Sequence, residues 1–409
     1  MSEWRYVATR LNGNGTETVL DRDLPLSGAV LTDELSGAGG ITGVISPETA
    51  RLRVDGKPLL VPWSTAIYAE ADGIIRAGAI LVDLTEEGPS LKLECIGFSG
   101  YLQDQVYSGE WIKKRIDPAL AVAEMWRYIQ AQPGGNIGLK VPAFKTDKLI
   151  GNEVNESTST NTSSYSNSNT NTSTSTNGKT GAVTSTPRTT TGSGTNTTTN
   201  TSVREKPYEL AWWKTFNLGN EFVKLAQETP FDFRVSHRWD GEKILHEMAI
   251  DYPMLIARKT NLRFVVGENI YDLPTIEYDG DQYVSHVVVV GAGEGRKAVR
   301  GESRIAPTRL YRSRGAVDSG IESKTLATSE ATRELKAATG GVDITEVLMV
   351  DHPHAPLGSV SPGDEIYIQT TDGWTGSLEL WVRVLAVTIE PATGAAKLTV
   401  SRTEKVQGS

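Results

Sequence analysis

The chain has 409 residues, a formal net charge of −9 at pH 7 and a pI of about 5.3. This acidic balance argues against a dedicated nucleic-acid binder, because affinity for nucleic acid rests on Lys and Arg side chains that neutralise phosphates. Cys95 is the single cysteine, which excludes intrachain disulfides and cysteine-rich zinc sites. No run approaches the ~18 apolar residues of a membrane span. The start lacks the apolar segment of a signal peptide, so we expect synthesis in the cytoplasm.

The first 105 residues alternate short apolar runs with glycine-rich turns, a pattern typical of antiparallel strands. The predicted strands are residues 4–11, 16–20, 29–35, 51–54, 67–71, 75–85 and 90–97. We predict a small antiparallel barrel or sandwich in this region. The alternation over residues 91–95 places Cys95 on the apolar face, so we interpret it as a buried core residue and not as a nucleophile.

An amphipathic helix follows, with Asp117 as its N-cap and Pro118 at its first position. Its predicted buried stripe consists of Val122, Met125, Trp126 and Ile129. A second helix, which Pro230 stops, carries the stripe Leu218, Phe222, Leu225 and Ala226.

Residues 151–203 lie between these helices and consist mainly of Ser, Thr and Asn. Such a segment buries too little apolar surface to offset the entropy lost on ordering. Because amphipathic segments flank it on both sides, we predict a flexible loop extruded from one domain, and not a linker between two enzymes. As a flexible coil it would span roughly 40 Å from end to end.

A hairpin is predicted over residues 231–251, with Asp240 and Gly241 as its two-residue turn. The expected cross-strand pairs are Trp239 with Glu242, His237 with Ile244, and Val235 with His246. The alternation places one set of side chains on a shared face: Phe233, Val235, His237, Ile244, His246, Met248 and Ile250.

The remaining chain is predicted to be β with one more helix. Residues 287–290 have the continuous apolar character of a buried strand, residues 327–338 form a helix, and residues 365–369, 377–389 and 396–402 form a closing antiparallel set. The apolar phase changes by one residue along 377–389, which predicts a β-bulge near Val384. We interpret the basic stretch 296–314 as a solvated strand and loop.

The motifs that suggest chemistry are incomplete. Gly291, Gly293 and Gly295 lack the G-x-G-x-x-G spacing and the following helix of a dinucleotide site. Ser99, in Gly97-Phe98-Ser99-Gly100, lacks the final glycine and the strand–turn–helix setting of a nucleophile elbow. We therefore predict no catalytic and no cofactor-binding residues, and no cofactor. A pair of catalytic carboxylates stays open, because their separation is a three-dimensional property.

The histidines form two candidate pairs. His237 and His246 are expected as diagonal neighbours among apolar residues, which favours core or interface histidines. His352 and His354 would lie on one side of an extended segment. Two imidazoles make no metal site without a third ligand of fitting geometry, so we predict no metal-binding residues.

Several segments together resemble minor tail proteins of long-tailed (siphovirus) actinobacterial phages, the tail-tip or baseplate hub group, which is similar to the hub proteins of contractile tails. The matching segments are residues 117–139 (DPALAVAEMWRYIQAQPGGNIGL), 208–213 with 218–239 (LGNEFVKLAQETPFDFRVSHRW), 287–296 (VVVVGAGEGR) and 357–402, with a Pro362-Gly363-Asp364 turn. The resemblance covers most of the chain outside 151–203. No catalytic signature accompanies it.

The resemblance implies a mainly β (α+β) fold with two small antiparallel β-barrel modules, a helix-containing middle region and the long Ser/Thr/Asn-rich loop as an insertion. The implied division is residues 1–105 as an N-terminal β-barrel hub module, 106–150 plus 204–280 as an α/β middle region, 151–203 as a flexible insertion, and 281–409 as a second β module with one helix.

The same resemblance implies a structural, non-enzymatic virion protein at the tail tip. Three copies would form a homotrimeric ring that adapts the sixfold tail tube to the threefold tip and leaves a channel for DNA ejection. Its implied partners are itself, the distal tail and tail tube proteins, the tape measure protein and other tip proteins. Viral DNA would pass an acidic lumen without specific binding.

Three other functions stay open. A tail adhesin that binds host envelope glycans would use exposed tryptophans, for which Trp111, Trp212, Trp213 and Trp374 are the candidates, although we favour packed tryptophans. The second is a peptidoglycan hydrolase carried at the tip. The third is a nucleotide-dependent enzyme, a hypothesis that rests entirely on the incomplete glycine motif.

Overall fold

The computed structural model describes residues 3–151, 153–176, 183–229, 231–272, 276–277, 283–307, 310–318, 321, 323–338, 343–373 and 376–402. Within these residues the chain is mainly β with a few helices, which confirms the predicted fold class. The contacts divide the chain into two compact units. One unit comprises residues 1–108, 117–148 and 212–409, and the other comprises residues 109–116 and 149–211.

The strands of the described residues follow in chain order. They are β1 (Trp4–Leu11), β2 (Glu17–Asp21), β3 (Ser27–Glu34), β4 (Gly40–Ile45), β5 (Arg53–Val54), β6 (Lys57–Pro58), β7 (Thr65–Ala71), β8 (Ile74–Glu87), β9 (Ser90–Gly97), β10 (Glu110–Lys113), β11 (Leu139–Lys140), β12 (Glu153–Thr176), β13 (Val183–Lys206), β14 (Tyr208–Ala211), β15 (Asp232–Asp240), β16 (Lys243–Asp251), β17 (Ala257–Arg258), β18 (Phe264–Val265), β19 (Ile276–Glu277), β20 (His286–Val290), β21 (Arg300–Arg304), β22 (Ser313–Val317), β23 (Asp343–Ile344), β24 (Glu346–Val350), β25 (Asp364–Gly373), β26 (Gly376–Glu390) and β27 (Ala395–Arg402).

The helices in the same part of the chain are α1 (Pro47–Ala50), α2 (Pro118–Gln130), α3 (Leu218–Glu228) and α4 (Lys324–Ala337), with 3₁₀ turns at Phe98–Leu102 and Gly295–Lys297. None of these helices combines the length and apolar character needed to cross a bilayer.

The larger unit contains a sheet in which strands from both ends of the chain pair. Its order is β17-β25-β26-β3-β4-β9-β8-β7-β1-β2, with β18 beside β25 and with β27 between β26 and β24. The junction is antiparallel: Leu31 of β3 lies opposite Ile389 of β26. The two β regions that the sequence suggests as separate modules therefore share one sheet, and their apolar side chains form one core.

A β-bulge in β26 separates the part of this strand that pairs with β25 from the part that pairs with β3. The residues before the bulge pair with β25, where Arg383 lies opposite Glu365, and those after it pair with β3, where Ala386 lies opposite Glu34. The register against β27 shifts between Val384 and Ala386, which confirms the predicted bulge. An extra residue bends the strand and increases its twist, so β26 can leave one partner and meet another.

Residues 283–338 contain a second, smaller core. Strand β20 pairs with β21 on one edge and with β22 on the other, and α4 packs its apolar side against them. A Cβ at Gly301 would lie 2.2 Å from the backbone of Ala327, so glycine allows the close contact between β21 and α4. The predicted buried strand and the predicted helix are both confirmed.

Helix α2 begins as the sequence predicts, because an Asp117 carboxylate oxygen accepts the N–H of Ala119 over 2.9 Å. The Asn217 side chain caps α3 in the same manner. The two predicted apolar stripes are buried, and the Trp126 and Phe222 rings meet edge to face with their centroids 6.2 Å apart.

The hairpin β15–β16 has the predicted face but a different register. Asp240 pairs with Lys243, and His237 lies directly opposite His246, so Gly241 and Glu242 form the turn. Gly241 has a φ of +63°, and glycine at the first central position is the pattern of a type II′ turn. The predicted pairs are therefore wrong, because the turn lies one residue later in the chain than predicted. The set of side chains on the shared face is unchanged, because the slip moves each partner by two residues.

The second unit contains two sheets of two strands each. Trp111 of β10 lies opposite Leu210 of β14, and β12 pairs with β13 from Glu153 opposite Lys206 to Thr176 opposite Val183. The ladder differs from the flexible loop that the composition predicts. Backbone hydrogen bonds between the two strands form a ladder even where the sequence offers no apolar face. Threonine also favours extended backbone through its branched Cβ.

Candidate functional site

The hairpin brings its two histidines into a buried polar network on the N-terminal strands. The Nδ1 atoms of His237 and His246 lie 2.8 Å apart, and His246 Nε2 lies 2.8 Å from Glu17 Oε1. The Tyr68 hydroxyl donates to the same oxygen over 2.7 Å, and the Thr9 hydroxyl donates to the other oxygen over 2.9 Å. One imidazole donates to the other across the Nδ1–Nδ1 contact, and the tautomers of the two rings set the direction of this bond.

Aromatic and glycine contacts enclose this network. The Phe98 ring stacks on His246 at a centroid distance of 4.5 Å, and the Tyr68 and His246 planes differ by 7°. A Cβ at Gly78 would lie 2.7 Å from the His237 ring and 2.6 Å from Tyr68, so only glycine leaves room for both rings.

Burial sets the protonation of the network. Loss of solvation, and next the charge of His246, lower the pKa of His237 well below its ordinary value. Burial, and next the nearby Glu17 carboxylate, raise the pKa of Tyr68 well above 10. His237 is therefore neutral and Tyr68 keeps its proton at neutral pH. With both nitrogens of His246 engaged, this network holds the hairpin on the sheet and leaves that imidazole no free base position.

A cavity of about 170 Å³ lies beside His237, with Asp33, Arg76, Ser99 and Arg234 in its wall. Burial raises the pKa of Asp33 to about 6, although the Arg234 charge opposes this shift. Ser99 donates its hydroxyl proton to the carbonyl of Gly37 over 2.8 Å. This bond occupies the proton that a nucleophilic serine gives to a base.

Two further sequence candidates have structural roles. Cys95 is 4% exposed, and burial, with a smaller contribution from Glu94, raises its pKa to about 12. It is a protonated core residue, as predicted. The glycine motif follows β20 as a turn and a three-residue 3₁₀ segment, Gly295–Lys297, and not as an α-helix. No helix N-terminus is therefore present there for a pyrophosphate.

Buried ion pairs connect the hairpin to the C-terminal strands, and no sequence pattern predicted them. The Arg383 guanidinium, 3% exposed, contacts the Asp232 carboxylate and donates to the Leu255 carbonyl over 2.8 Å. Arg234 donates to the Pro362 carbonyl over 2.8 Å. Its guanidinium also lies 3.4 Å from the fully buried Asp364 carboxylate.

The second histidine pair gains a carboxylate partner. His354 Nδ1 lies 2.8 Å from Glu268 Oε1, and His352 Nε2 lies 4.0 Å from the same oxygen. The hydrogen bond from His354 lowers the pKa of Glu268, and the Arg263 charge lowers it further. This carboxylate is therefore ionised at neutral pH. Glu268 is separated from both histidines by more than eighty residues of chain, so spacing within the sequence could not identify it.

The candidate tryptophans differ in their surroundings. Trp111 meets the Tyr208 ring at a centroid distance of 6.3 Å. Trp212 and Trp213 are 56% and 43% exposed, and their perpendicular rings lie 5.3 Å apart. The expectation of tryptophans packed in the core is therefore wrong for this pair, and their packing in an interface between chains stays a prediction. Trp374 lies outside the described residues. The basic stretch is a strand and loop that are mainly exposed where they are described, as predicted, although Gly301 is buried and Val299 packs against the smaller core.

Comparisons with known proteins show a shared fold. No protein-family model matches the chain, and no curated protein matches it in sequence. Among solved structures, the 43 kDa tail protein of prophage MuSo2 from Shewanella oneidensis is similar over 98% of this chain and 99% of its own, with 10% identity and a TM-score of 0.54. Prophage tail protein gp18 from Listeria monocytogenes EGD-e is similar over 98% and 95%, with 10% identity and a TM-score of 0.50. The chain thus has the fold of prophage tail proteins.

Proposed function

We propose that the chain is a structural protein of a phage tail and that it forms a hub ring at the tail tip. The observation that carries this proposal is the similarity of almost the whole chain to the fold of two prophage tail proteins. Fold alone does not determine function. The chemistry of the side chains must therefore support the same conclusion.

The described side chains support a structural role. Four of the residues that could carry nucleophilic or acid–base chemistry are engaged in packing or in closed hydrogen bonds: Ser99, Cys95, His237 and His246. Buried pairs such as Arg383 with Asp232 hold strands together. A subunit that keeps its shape under load needs such cross-links between distant segments of the chain, and it needs no open reactive centre.

We propose a homotrimer as the assembled form. Residues 1–105 and 281–409, whose strands share one sheet, would supply two related β modules per subunit. Residues 106–150 plus 204–280 would form the middle region, and 151–203 would be an insertion. Three subunits would then present six similar surfaces to the sixfold tail tube and threefold symmetry to the tip. The partners would be the distal tail, tail tube, tape measure and other tip proteins in the virion.

Charge supports a conduit for DNA. A net charge of −9 gives the assembled ring an acidic balance, and acidic walls repel phosphates, so DNA would slide through without being retained. The siphovirus and actinobacterial host assignment belongs to the same proposal and rests on the sequence segments that resemble that group.

The mass of the purified protein in solution tests this proposal. Light scattering coupled to size-exclusion chromatography should give three times the 44.3 kDa of one chain, and electron microscopy should show a ring with a central channel. A stable monomer with neither ring nor channel at micromolar concentration would overturn the proposal. A clearing band on a host cell-wall zymogram would overturn its non-enzymatic part.

The exposed Trp212–Trp213 pair favours a second candidate, an adhesin for envelope glycans. Carbohydrates stack on exposed aromatic faces, and these two rings are more exposed than Trp111, the other candidate tryptophan that the structure describes. Sedimentation with host cell wall distinguishes the two functions: an adhesin co-sediments and loses binding in W212A/W213A. A hub ring stays in the supernatant.

A further inference from the structure

We propose that Glu268, His352 and His354 form a binding site for one divalent transition-metal ion, with Zn²⁺ as the expected occupant. The proposal does not depend on the function of the chain in a tail. The three side chains each offer one ligand atom, and these atoms all lie within 4.8 Å of one another. Among the described residues this is the one group of histidine, cysteine and acidic side chains with that property.

The distances suit a tetrahedral ion. Zn–N and Zn–O bonds of about 2.0–2.2 Å place neighbouring ligand atoms roughly 3.3 Å apart. The measured separations from Glu268 Oε1 are 2.8 Å to His354 Nδ1 and 4.0 Å to His352 Nε2, which lie on either side of that value. All three ligand atoms lie within 4.8 Å of one another, so small side-chain rotations complete the geometry. The two imidazoles are borderline donors that favour zinc over magnesium or calcium, and zinc also accepts a carboxylate oxygen as a ligand.

The turn that carries Glu268 is built rigidly. Asn269, fully buried, accepts the N–H of Val265 over 2.9 Å and donates to the Arg263 carbonyl over 2.6 Å. The N–H of Ile270 donates to the Val265 carbonyl over 3.1 Å and closes the turn. Glu268 thus projects from a fixed backbone, which reduces the entropy lost when a ligand is bound.

The histidines lie on a second fixed turn. The Ala355 N–H donates to the His352 carbonyl over 2.9 Å, and Pro353 restricts φ at the position between the two ligands. Backbone bonds tie this turn to the first: Arg263 N–H to the His354 carbonyl, and Val350 N–H to the Asn269 carbonyl over 2.9 Å. The protein therefore holds both ligand-bearing turns together before any ion binds.

Two features limit the affinity of the site. The His354 N–H lies 3.2 Å from His352 Nδ1, and metal binding through Nε2 would place a proton on Nδ1, so this N–H must bond water instead. The Arg263 guanidinium lies 3.9 Å from the other Glu268 oxygen and repels a cation. The His354 and Glu268 side chains are 55% and 30% exposed, so an ion can enter and water can fill a fourth position.

Calorimetric titration of the tag-free full chain, stripped with EDTA and dialysed, tests the site with ZnCl₂ as the probe. We expect one zinc ion per chain and no saturable binding of MgCl₂. E268Q, H352N and H354N should each weaken binding more than ~10-fold, since even partners outside the ligand shell change metal affinity about 10–100-fold. R263Q should tighten binding, because it removes the neighbouring positive charge.

The matched control is E302Q. Glu302 also pairs with a histidine, His286, at 3.2 Å, and with arginines, but no second imidazole accompanies it within the described residues. E302Q should therefore keep zinc affinity unchanged. Zinc K-edge absorption of the wild-type protein supplies a measurement that needs no variant, and two imidazoles in the ligand shell are expected. Absence of saturable zinc binding, full retention of binding in E268Q/H354N, or a shell without imidazole would each overturn the proposal.

Discussion

The backbone N–H of Leu35 donates to the carbonyl oxygen of Leu385 over 2.8 Å. Leu385 is the extra residue of the β26 bulge, between Val384 and Ala386, and Leu35 directly follows the end of β3. The residue that leaves the ladder with β27 thus makes the first contact with the N-terminal strands. The bulge is therefore the point at which the two ends of the chain are joined.

Removing this residue should be far more harmful than truncating its side chain. Deletion of Leu385 removes the bulge and makes β26 one regular strand, so it loses both the bend that takes β26 from β25 to β3 and the carbonyl that accepts the Leu35 N–H. We expect the deletion to abolish cooperative unfolding. L385A keeps the carbonyl and should cost about 1 kcal/mol, because this side chain is only partly buried. Thermal denaturation followed by circular dichroism compares the two, and equal stability would contradict the role of the bulge.

A second prediction concerns the pairing of β3 with β26. Leu31 and Ile389 lie opposite each other and are 2% and 5% exposed. L31A and I389A should each lower the free energy of unfolding by about 2–5 kcal/mol. In a double-mutant cycle they should couple by about 0.5–3 kcal/mol, because they are in contact.

Urea unfolding measures the cycle, and L52A serves as the control. Leu52 is 50% exposed, so its truncation should change stability by less than about 0.5 kcal/mol. Strictly additive effects of L31A and I389A would show that the two ends of the chain are not joined at these positions.

Local signals explain which features the sequence could predict. The Asp117 cap, the stripe of α2 and the bulge near Val384 depend on residues within a few positions of one another, so pattern and capping chemistry specify them. The hairpin register failed at one local choice. Asp240-Gly241 and Gly241-Glu242 are both acceptable two-residue turns, and only the observed φ of Gly241 and the pairing separate them.

Long-range features could not be predicted, because alternation does not state which strand lies beside which. The pairing of β3 with β26 joins residues more than 350 positions apart. Glu17 and His246 are separated by 229 residues, and Glu268 lies 86 residues from His354. Each of these contacts involves a polar side chain or a strand edge that looks like any other in the sequence.

Arg383 supplies a third prediction. Its guanidinium is 3% exposed and contacts Asp232, so R383M leaves that carboxylate without its cation in a poorly solvated position. We expect a loss of about 3–5 kcal/mol, the usual result of breaking a buried pair. The double variant D232N/R383M should recover part of this loss, because no unpaired charge remains. Chemical unfolding measures all three proteins, and a double variant less stable than R383M would contradict the prediction.

The cavity beside His237 predicts an unusual dependence of stability on pH, because two of its groups act in opposite directions. Burial, and next the neighbouring His246, lower the folded pKa of His237 below its ordinary value. As pH falls through about 6.5 the unfolded chain gains a proton that the folded chain refuses, so stability falls. Asp33, which faces Arg234, Glu34 and Asp364, has a folded pKa of about 6. Below that pH the folded chain gains the proton first, so stability rises as pH falls.

Two variants separate these contributions. H237N keeps a hydrogen-bonding group toward His246 but cannot titrate, so the loss of stability between pH 7 and 6 should shrink, by at most about 1.4 kcal/mol per pH unit and proton. D33N removes the compensating group, so its stability should fall more steeply than that of the wild type between pH 6 and 5. Urea unfolding at half-unit pH intervals measures both slopes as differences from the wild type, which cancels the other titrating groups. Parallel curves for the wild type and H237N would mean that His237 titrates alike in the folded and unfolded chains, which its burial against Phe98 and Tyr68 opposes.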